Sequence, residues 1–280
     1  MKKKRILVGE RLNEVAWLLR CPICKEPCTV DEGTIYCIHQ HSFDIAKQGH
    51  IHVATKSMDS LYTKDLFEAR RQLLVHYGLF TPFLKKVAEI INNLALDKEW
   101  TIADMGSGEG SPLIIMQEYL GTRPRASFGF DLAKAGIVEA AKAYEEAFWF
   151  VSDLAQTPLS DHSISIVLNI LSPSNYEEFG RVLSDRGYII KVVPRTNYLK
   201  EIREAVNKPA YSNEDTVARF NDRFHLLQTE HMTYTVDLPV EASQLLIAMT
   251  PLAEHATQEQ KSRIGHTFTV DVDILLGQKK

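Results

Sequence analysis

Residues 101–131 read TIADMGSGEGSPLIIMQEYLGTRPRASFGFD, and the first ten of them decide the fold. Thr101-Ile102-Ala103 is a short buried strand, Gly106, Gly108 and Gly110 fall in the loop after it, and a helix starts at about residue 112. Ala126 to Phe130 is the next strand and closes on Asp131, ahead of an alanine-rich helix. Glycines placed directly after a strand let the backbone approach a ligand and adopt dihedrals that a Cβ forbids. An acid at the end of the second strand is positioned to accept both hydroxyls of a ribose.

The alternation continues outward from this stretch. Phe148 to Val151, Ser163 to Leu168 and Tyr188 to Val193 (YIIKVV, with Gly187 in the preceding turn) read as strands separated by helical segments. Thr233 to Val236 and Thr267 to Leu275 complete the set, with a helical insertion between them. Strands alternating with helices give an α/β fold, here a mostly parallel seven-stranded sheet covered on both faces. Upstream, residues 60–97 are helical: Phe83, Leu84, Val87, Ile90, Ile91 and Leu94 recur at helical spacing, with Thr81 as N-cap and Pro82 at the first helical position. The chain divides into an amphipathic extension (1–20), a Cys/His module (21–56), a helical linker (57–97) and the cofactor domain (98–280). In the extension, Ile6, Leu7, Leu12, Val15, Trp17 and Leu18 are available for packing.

Nicotinamide and flavin enzymes use similar glycine loops, so two details matter. The glycines run G-x-G-x-G rather than the dinucleotide G-x-G-x-x-G. Asp104 stands just before them, where a carboxylate opposes a pyrophosphate but suits the amino and sulfonium end of S-adenosylmethionine. Asp153, just past the third strand, is placed either to meet the adenine amino group or to cap a helix. Asn169-Ile-Leu-Ser-Pro173 ends the fourth strand, where methyl acceptors are held; an ordinary turn explains it equally well.

All four cysteines lie between positions 21 and 37, and none follows. The spacing Cys21-x2-Cys24-x12-Cys37-x3-His41 offers four soft ligands in the tetrahedral arrangement of zinc. A closed four-ligand set leaves no position for substrate, so the metal is structural. Cys28 is an alternative to Cys24, and His39 to His41. A module this small buries little core, whereas structural zinc supplies about 10–16 kcal/mol in finger peptides.

Composition narrows the class. With 45% hydrophobic and 24% charged residues the chain is globular, and no apolar run approaches the ~20 residues of a membrane span. The basic start lacks the apolar stretch of a secretory signal, which leaves a cytoplasmic protein as the expectation. Net charge is −4, unevenly spread: residues 1–86 carry 14 basic against 9 acidic side chains, and the remainder carries 18 against 27. A polyanion would meet the first third, where Lys47, Lys56, Lys64, Arg70, Arg71, Lys85 and Lys86 are candidates for phosphate contact.

Taken together, CPICKEP, YCIHQHSFDIAKQGHIHV, Arg70-Arg71, IADMGSGEG, FGFDLAKAGI and IVLNILSP resemble the RlmA (RrmA) family over roughly residues 21–255, including Met249 to Leu252. That family comprises 23S ribosomal RNA guanine-N1 methyltransferases, its Gram-positive branch including the tylosin-resistance enzyme. The resemblance implies a Rossmann-like class I methyltransferase fold, S-adenosylmethionine held by Asp104, Gly106, Gly108, Asp131 and Asp153, and zinc on Cys21, Cys24, Cys37 and His41. It also implies 23S ribosomal RNA as partner, a homodimer, and an effect on macrolide response. Three features depart from the family pattern: Ser107 replaces a cysteine, His50-Ile-His-Val53 stands where Tyr-Val-Asn-Leu is usual, and residues 1–20 are additional.

Methyl transfer in such an enzyme rests on positioning and needs the N1 proton removed from a guanine that is unpaired or flipped. His225 and His231 are titratable but have no assigned place, and no general base is identified. Three other functions fit less of the pattern: a small-molecule methyltransferase, a non-catalytic nucleic-acid-binding regulator and an NAD dehydrogenase.

Overall fold

The structure, a computed structural model, describes residues 3–54 and 63–280. It begins with helix α1 (Lys4–Asn13), followed by a three-stranded ribbon, β1 (Cys28–Asp31), β2 (Thr34–Cys37) and β3 (Ser42–Asp44), paired antiparallel in that order. Next come β4 (Ile51–His52), α2 (Lys64–Arg71), a π-helical turn over Gln72–His76, and α3 (Thr81–Asn92). The α/β unit then runs β5 (Thr101–Met105), α4 (Ser111–Gln117), β6 (Ala126–Asp131), α5 (Lys134–Ala143), β7 (Phe148–Val151), β8 (Ile164–Ile170), α6 (Tyr176–Val182) and β9 (Leu183–Pro194). It finishes with α7 (Lys200–Ala205), α8 (Glu214–Arg223), β10 (Phe224–Asp237), α9 (Val240–Met249), α10 (Gln258–Ser262) and β11 (Thr267–Lys279).

The main sheet has the order β10-β11-β9-β8-β5-β6-β7-β4. Pairings from β9 through β4 are parallel, while β11 and β10 join antiparallel. The seven expected strands are all present. The eighth is β4, two residues beyond the ribbon that pair with Phe150 and Val151 at the β7 edge. So short a strand carries no periodicity of its own; its neighbour creates it. β10 and β9 are also longer than expected, and Gly187 lies inside β9 rather than in a turn before it.

Central strands are apolar on both faces because helices cover both: every residue of β5 and of β7 is buried. One face packs Phe83, Leu84, Val87 and Ile91 of α3 against Ile102 and Leu168. The other packs Phe128, Phe130 and Phe150 against Val8, Leu12, Leu18 and Val30 from the N-terminal region. Residues 4–20 therefore dock the ribbon on the sheet through Val8, Leu12, Val15, Leu18 and Leu19, whereas Leu7 and Trp17 are exposed. Residues 64–92 pack into the same core as the sheet. Thr81 is the first residue of α3, not its cap; Phe80 precedes it without a capping side chain, and Pro82 fits the first turn.

Candidate active site and metal centre

The ribbon brings its four expected ligands together. The ligand atoms of Cys21, Cys24, Cys37 and His41 all lie within 4.8 Å of one another. Cys24 Sγ is 3.5 Å from Cys37 Sγ, and His41 Nδ1 is 3.5 Å from Cys21 Sγ and 3.4 Å from Cys37 Sγ. A tetrahedral ion with Zn–S bonds of about 2.3 Å separates its sulfur ligands by roughly 3.7 Å, so the donor set fits zinc. Against the cost of its own desolvation, the Cys37 thiol is held down to about 7 by hydrogen bonds from Cys24 and from the His41 and His39 backbone, as suits a thiolate ligand. Cys28 stays outside the cluster: burial, then the neighbouring cysteines, push its thiol up to about 12, and it serves as apolar filling. His39 is exposed and also stands apart.

The glycine loop crosses the carboxyl ends of β5 and β6, above a cavity of about 340 Å³. Of the expected residues, Gly106, Gly108, Asp131 and Asp153 line it; Asp104 lies beneath, 1% exposed, paired between Gly129 and Leu168. Gly106 has φ +91° and faces Ser172, whose Oγ is 1.9 Å from where an alanine Cβ would stand. Gly110, at φ +81°, lies against the Trp149 ring, which a Cβ would approach to 2.4 Å. Two glycines of the loop are therefore required by packing as well as by backbone conformation.

Asp131 accepts from Gly108 N at 2.8 Å through one carboxylate oxygen and from Ala133 N at 2.8 Å through the other. Asp153 accepts from Ala155 N at 2.9 Å in a turn, with no helix after it to cap. Glu109 is fully buried, with Arg70 Nε 3.0 Å from its Oε2, paired by charge but not aligned for a hydrogen bond. Burial, reinforced by Asp131, pushes the Asp104 carboxyl up to about 8, and Asp104 Oδ1 has no hydrogen-bond partner among the described residues. Burial likewise raises Glu109 and Asp131, with Arg70 opposing both. Three buried carboxyl groups thus crowd one guanidinium at the cavity; too little positive charge favours their protonated forms, and a cationic ligand, unlike a pyrophosphate, would let them ionise.

Arg70 and Arg71 do not face outward for phosphate. Arg70 lines the cavity and pairs with Glu109, and the Arg71 guanidinium lies 5.3 Å from the centre of the Tyr144 ring. Lys64 pairs with Glu68 at 2.7 Å, Lys86 with Glu89 at 2.5 Å, and Lys85 sits over the Tyr119 ring. Lys47 is exposed, and Lys56 falls outside the described residues. His225 and His231 stand on β10, three strands from β8, with His231 bonded to Asp273; neither reaches the cavity. Asn169 is buried and structural, its amide donating to Met105 O and Pro173 O.

Sequence reasoning gave no role to Glu109 or Lys191, read Arg70 as a phosphate contact, and named Ser172 only as part of the stretch Asn169 to Pro173. Lys191 carried a usable signal, as a single lysine within the apolar run YIIKVV. Met249 and Pro251 reach the cavity from 118 or more positions downstream of Asp131, a proximity that no local pattern records.

Fold and sites define a class I, Rossmann-like methyltransferase bearing a zinc ribbon. A chain of the solved "Complex between the Haloferax volcanii Trm112 methyltransferase activator and the putative methyltransferase" superposes with a TM-score of 0.51 and 16% identity, over 80% of this chain and 99% of that one. Residues 19–54 match the family profile described as RlmA, N-terminal, a zinc ribbon. The Bacillus subtilis protein named "Putative 23S rRNA (guanine-N(1)-)-methyltransferase YxjB" is 37% identical over 94% of this chain and 97% of its own length. The Streptomyces fradiae 23S rRNA (guanine(748)-N(1))-methyltransferase is 27% identical over 90% and 91%. The chain belongs to the RlmA family of 23S rRNA (guanine-N(1))-methyltransferases.

Proposed function

We propose that this protein transfers a methyl group from S-adenosylmethionine to N1 of a guanine in a hairpin loop of 23S ribosomal RNA. The cavity under the glycine loop carries this reading. The buried carboxyl groups beside it would ionise next to a cationic donor, and Asp104 Oδ1 has no hydrogen-bond partner among the described residues. Asp131 would hold the ribose, Asp153 the adenine end, and Asp104 the methionyl end, with Gly106 and Gly108 granting close approach. The bound donor supplies an electrophilic methyl group; the chain excludes water and fixes the line of attack.

The zinc ribbon is the RNA-recognition module in this reading. Trp17, Ile23, Tyr36 and Ile38 are exposed in and just before the ribbon, and the Trp17 and Tyr36 rings offer surfaces on which unpaired bases could stack. A homodimer is the assembly we propose, supported by the fourteen-residue edge strand β10 with exposed Leu226 and Leu227. A cytoplasmic location follows from the ribosomal substrate, and no described helix is long and apolar enough to cross a membrane. An altered macrolide response would be the cellular consequence.

Primer extension on large-subunit RNA from cells with and without the gene tests the function. Methylation at N1 blocks the pairing edge, so one reverse-transcriptase stop should vanish with the gene. Identical stops in both RNAs would refute the reading.

A further inference from the structure

A second cavity, of about 480 Å³, adjoins the first at the loop after β8, and the two share Leu171, Ser172 and Pro173. They meet at one short turn, with Leu171 held at φ +49°. Such strain in a residue other than glycine persists only where the surroundings impose it. The shared Ser172 is also the side chain seated against Gly106 of the cofactor loop.

The chemistry of this cavity differs from that of its neighbour. It has no carboxylate in its lining; its charged groups are Lys191 from β9 and Arg219 from α8, accompanied by the rings of Tyr176 and Tyr211. Lys191 is 3% exposed, in the middle of an apolar strand. Its ammonium donates to Asn169 Oδ1 at 2.5 Å and to Ser172 O at 3.1 Å. An ammonium has three protons to donate, and no third acceptor is present among the described residues. Both acceptors are neutral, the charge has no counterion among the described residues, and burial lowers the group to about 8. The Tyr176 hydroxyl is buried beside Ser174 without an aligned hydrogen bond. Unspent donors, two cations and two aromatic rings facing one space describe a site for a flat, electron-rich group that becomes negative.

We propose that this second cavity receives the flipped guanine, with the Lys191 ammonium donating its third proton to O6. The proposal rests on the RNA methyltransferase reading above and adds the acceptor site to it. Loss of the N1 proton to water leaves negative charge shared between N1 and O6, which a buried cation at O6 stabilises. The N1 lone pair then forms the bond to the methyl carbon, and the S–C bond breaks with its electron pair staying on sulfur as a thioether. Lys191 ends as it began, protonated. The Tyr176 and Tyr211 rings line the space where the base enters, and Arg219, exposed at the mouth, meets the adjoining phosphate.

The test uses full-length, zinc-loaded protein and a large-subunit RNA hairpin transcript. Lys191→Met should lower the single-turnover methylation rate by about 100-fold or more, the cost of removing a charge-stabilising donor. Its affinity for S-adenosylhomocysteine, read by calorimetry, should stay within about twofold, because the donor cavity is untouched. If Lys191 merely braced the loop, that affinity would fall too, since Leu171 and Ser172 line both cavities. Lys191→Ala should regain activity when propylammonium is added. RNA carrying 6-thioguanosine should photocrosslink to Tyr176 or Tyr211. A folded Lys191→Met protein with near wild-type rate, or with weakened S-adenosylhomocysteine binding, overturns the proposal. If that variant does not fold, Arg219→Ala decides: unchanged RNA affinity overturns it, and a several-fold loss supports it. Wild-type protein that methylates no guanine would instead refute the function itself.

Discussion

The ribbon and the sheet are held together by different forces. In β5 and β7 every residue is buried, and the rings of Phe128, Phe130, Phe148 and Phe150 pack on one another within β6 and across to β7. In the ribbon, β3 has no fully buried residue, β1 alternates, and Ile23, Tyr36 and Ile38 face solvent. Apolar burial suffices for the first region, whereas the second needs its four metal ligands. In the function proposed above the contrast separates two tasks: the metal would shape a surface for RNA, and the apolar sheet would support the donor cavity. The two regions meet where residues 8–30 pack on β6 and β7, where β4 pairs with β7, and where Leu18, Arg20 and Pro22 bond to the segment 156–161.

The largest expected effect breaks one side of that contrast. Replacing Cys37 with Ser, or chelating the metal, should remove a contribution of about 10–16 kcal/mol and unfold residues 21–44. Proteolysis should then cut within the ribbon and methylation of RNA should cease, while S-adenosylhomocysteine still binds. Loss of donor binding as well would show that ribbon and sheet fold as one unit.

Gly106→Ala strikes the other side. Its Cβ would overlap Ser172 Oγ, and a backbone at φ +91° costs a residue with a Cβ about 1–3 kcal/mol. Donor affinity should fall about 10- to 100-fold with the zinc content unchanged, as calorimetry and metal analysis would show.

A pH effect sharpens the picture of the donor cavity. Burial holds Asp104 at about 8 in the folded chain, against an ordinary carboxyl value of 3.8. The folded state therefore keeps a proton that the unfolded chain releases, and this contribution to stability, complete below the lower value, is lost as pH rises toward the higher. Urea midpoints of donor-free protein should accordingly decline between about pH 5 and 8, and Asp104→Asn should flatten that decline. Equal slopes for both proteins would remove Asp104 from the account. Smallest of all, Asp153→Asn should weaken donor binding only a few-fold, because that side chain lies at the rim in a turn of its own.

The same contrast explains what could be read from the sequence. Cys21, Cys24, Cys37 and His41 lie within 21 positions, so their spacing already pointed to a metal site; the choices between Cys24 and Cys28 and between His41 and His39 needed coordinates. The strand alternation was equally plain, because buried parallel strands are apolar runs. β4 escaped notice because two residues make a strand only beside β7. The Arg70–Glu109 pair and the Lys191–Asn169 contact join distant segments. Arg70 and Arg71, read as basic surface, face inward because α2 packs on α5 and α9. Lys191 stood out in its strand, but only the loop after β8 shows what its ammonium faces.

The most direct test is to incubate purified, zinc-loaded protein with labelled S-adenosylmethionine and unmodified large-subunit RNA, then digest the RNA and identify the labelled nucleoside by mass spectrometry. The account predicts label in 1-methylguanosine alone, at one position. Label in N2- or N7-methylguanosine, in another base, or in no nucleoside at all would contradict it.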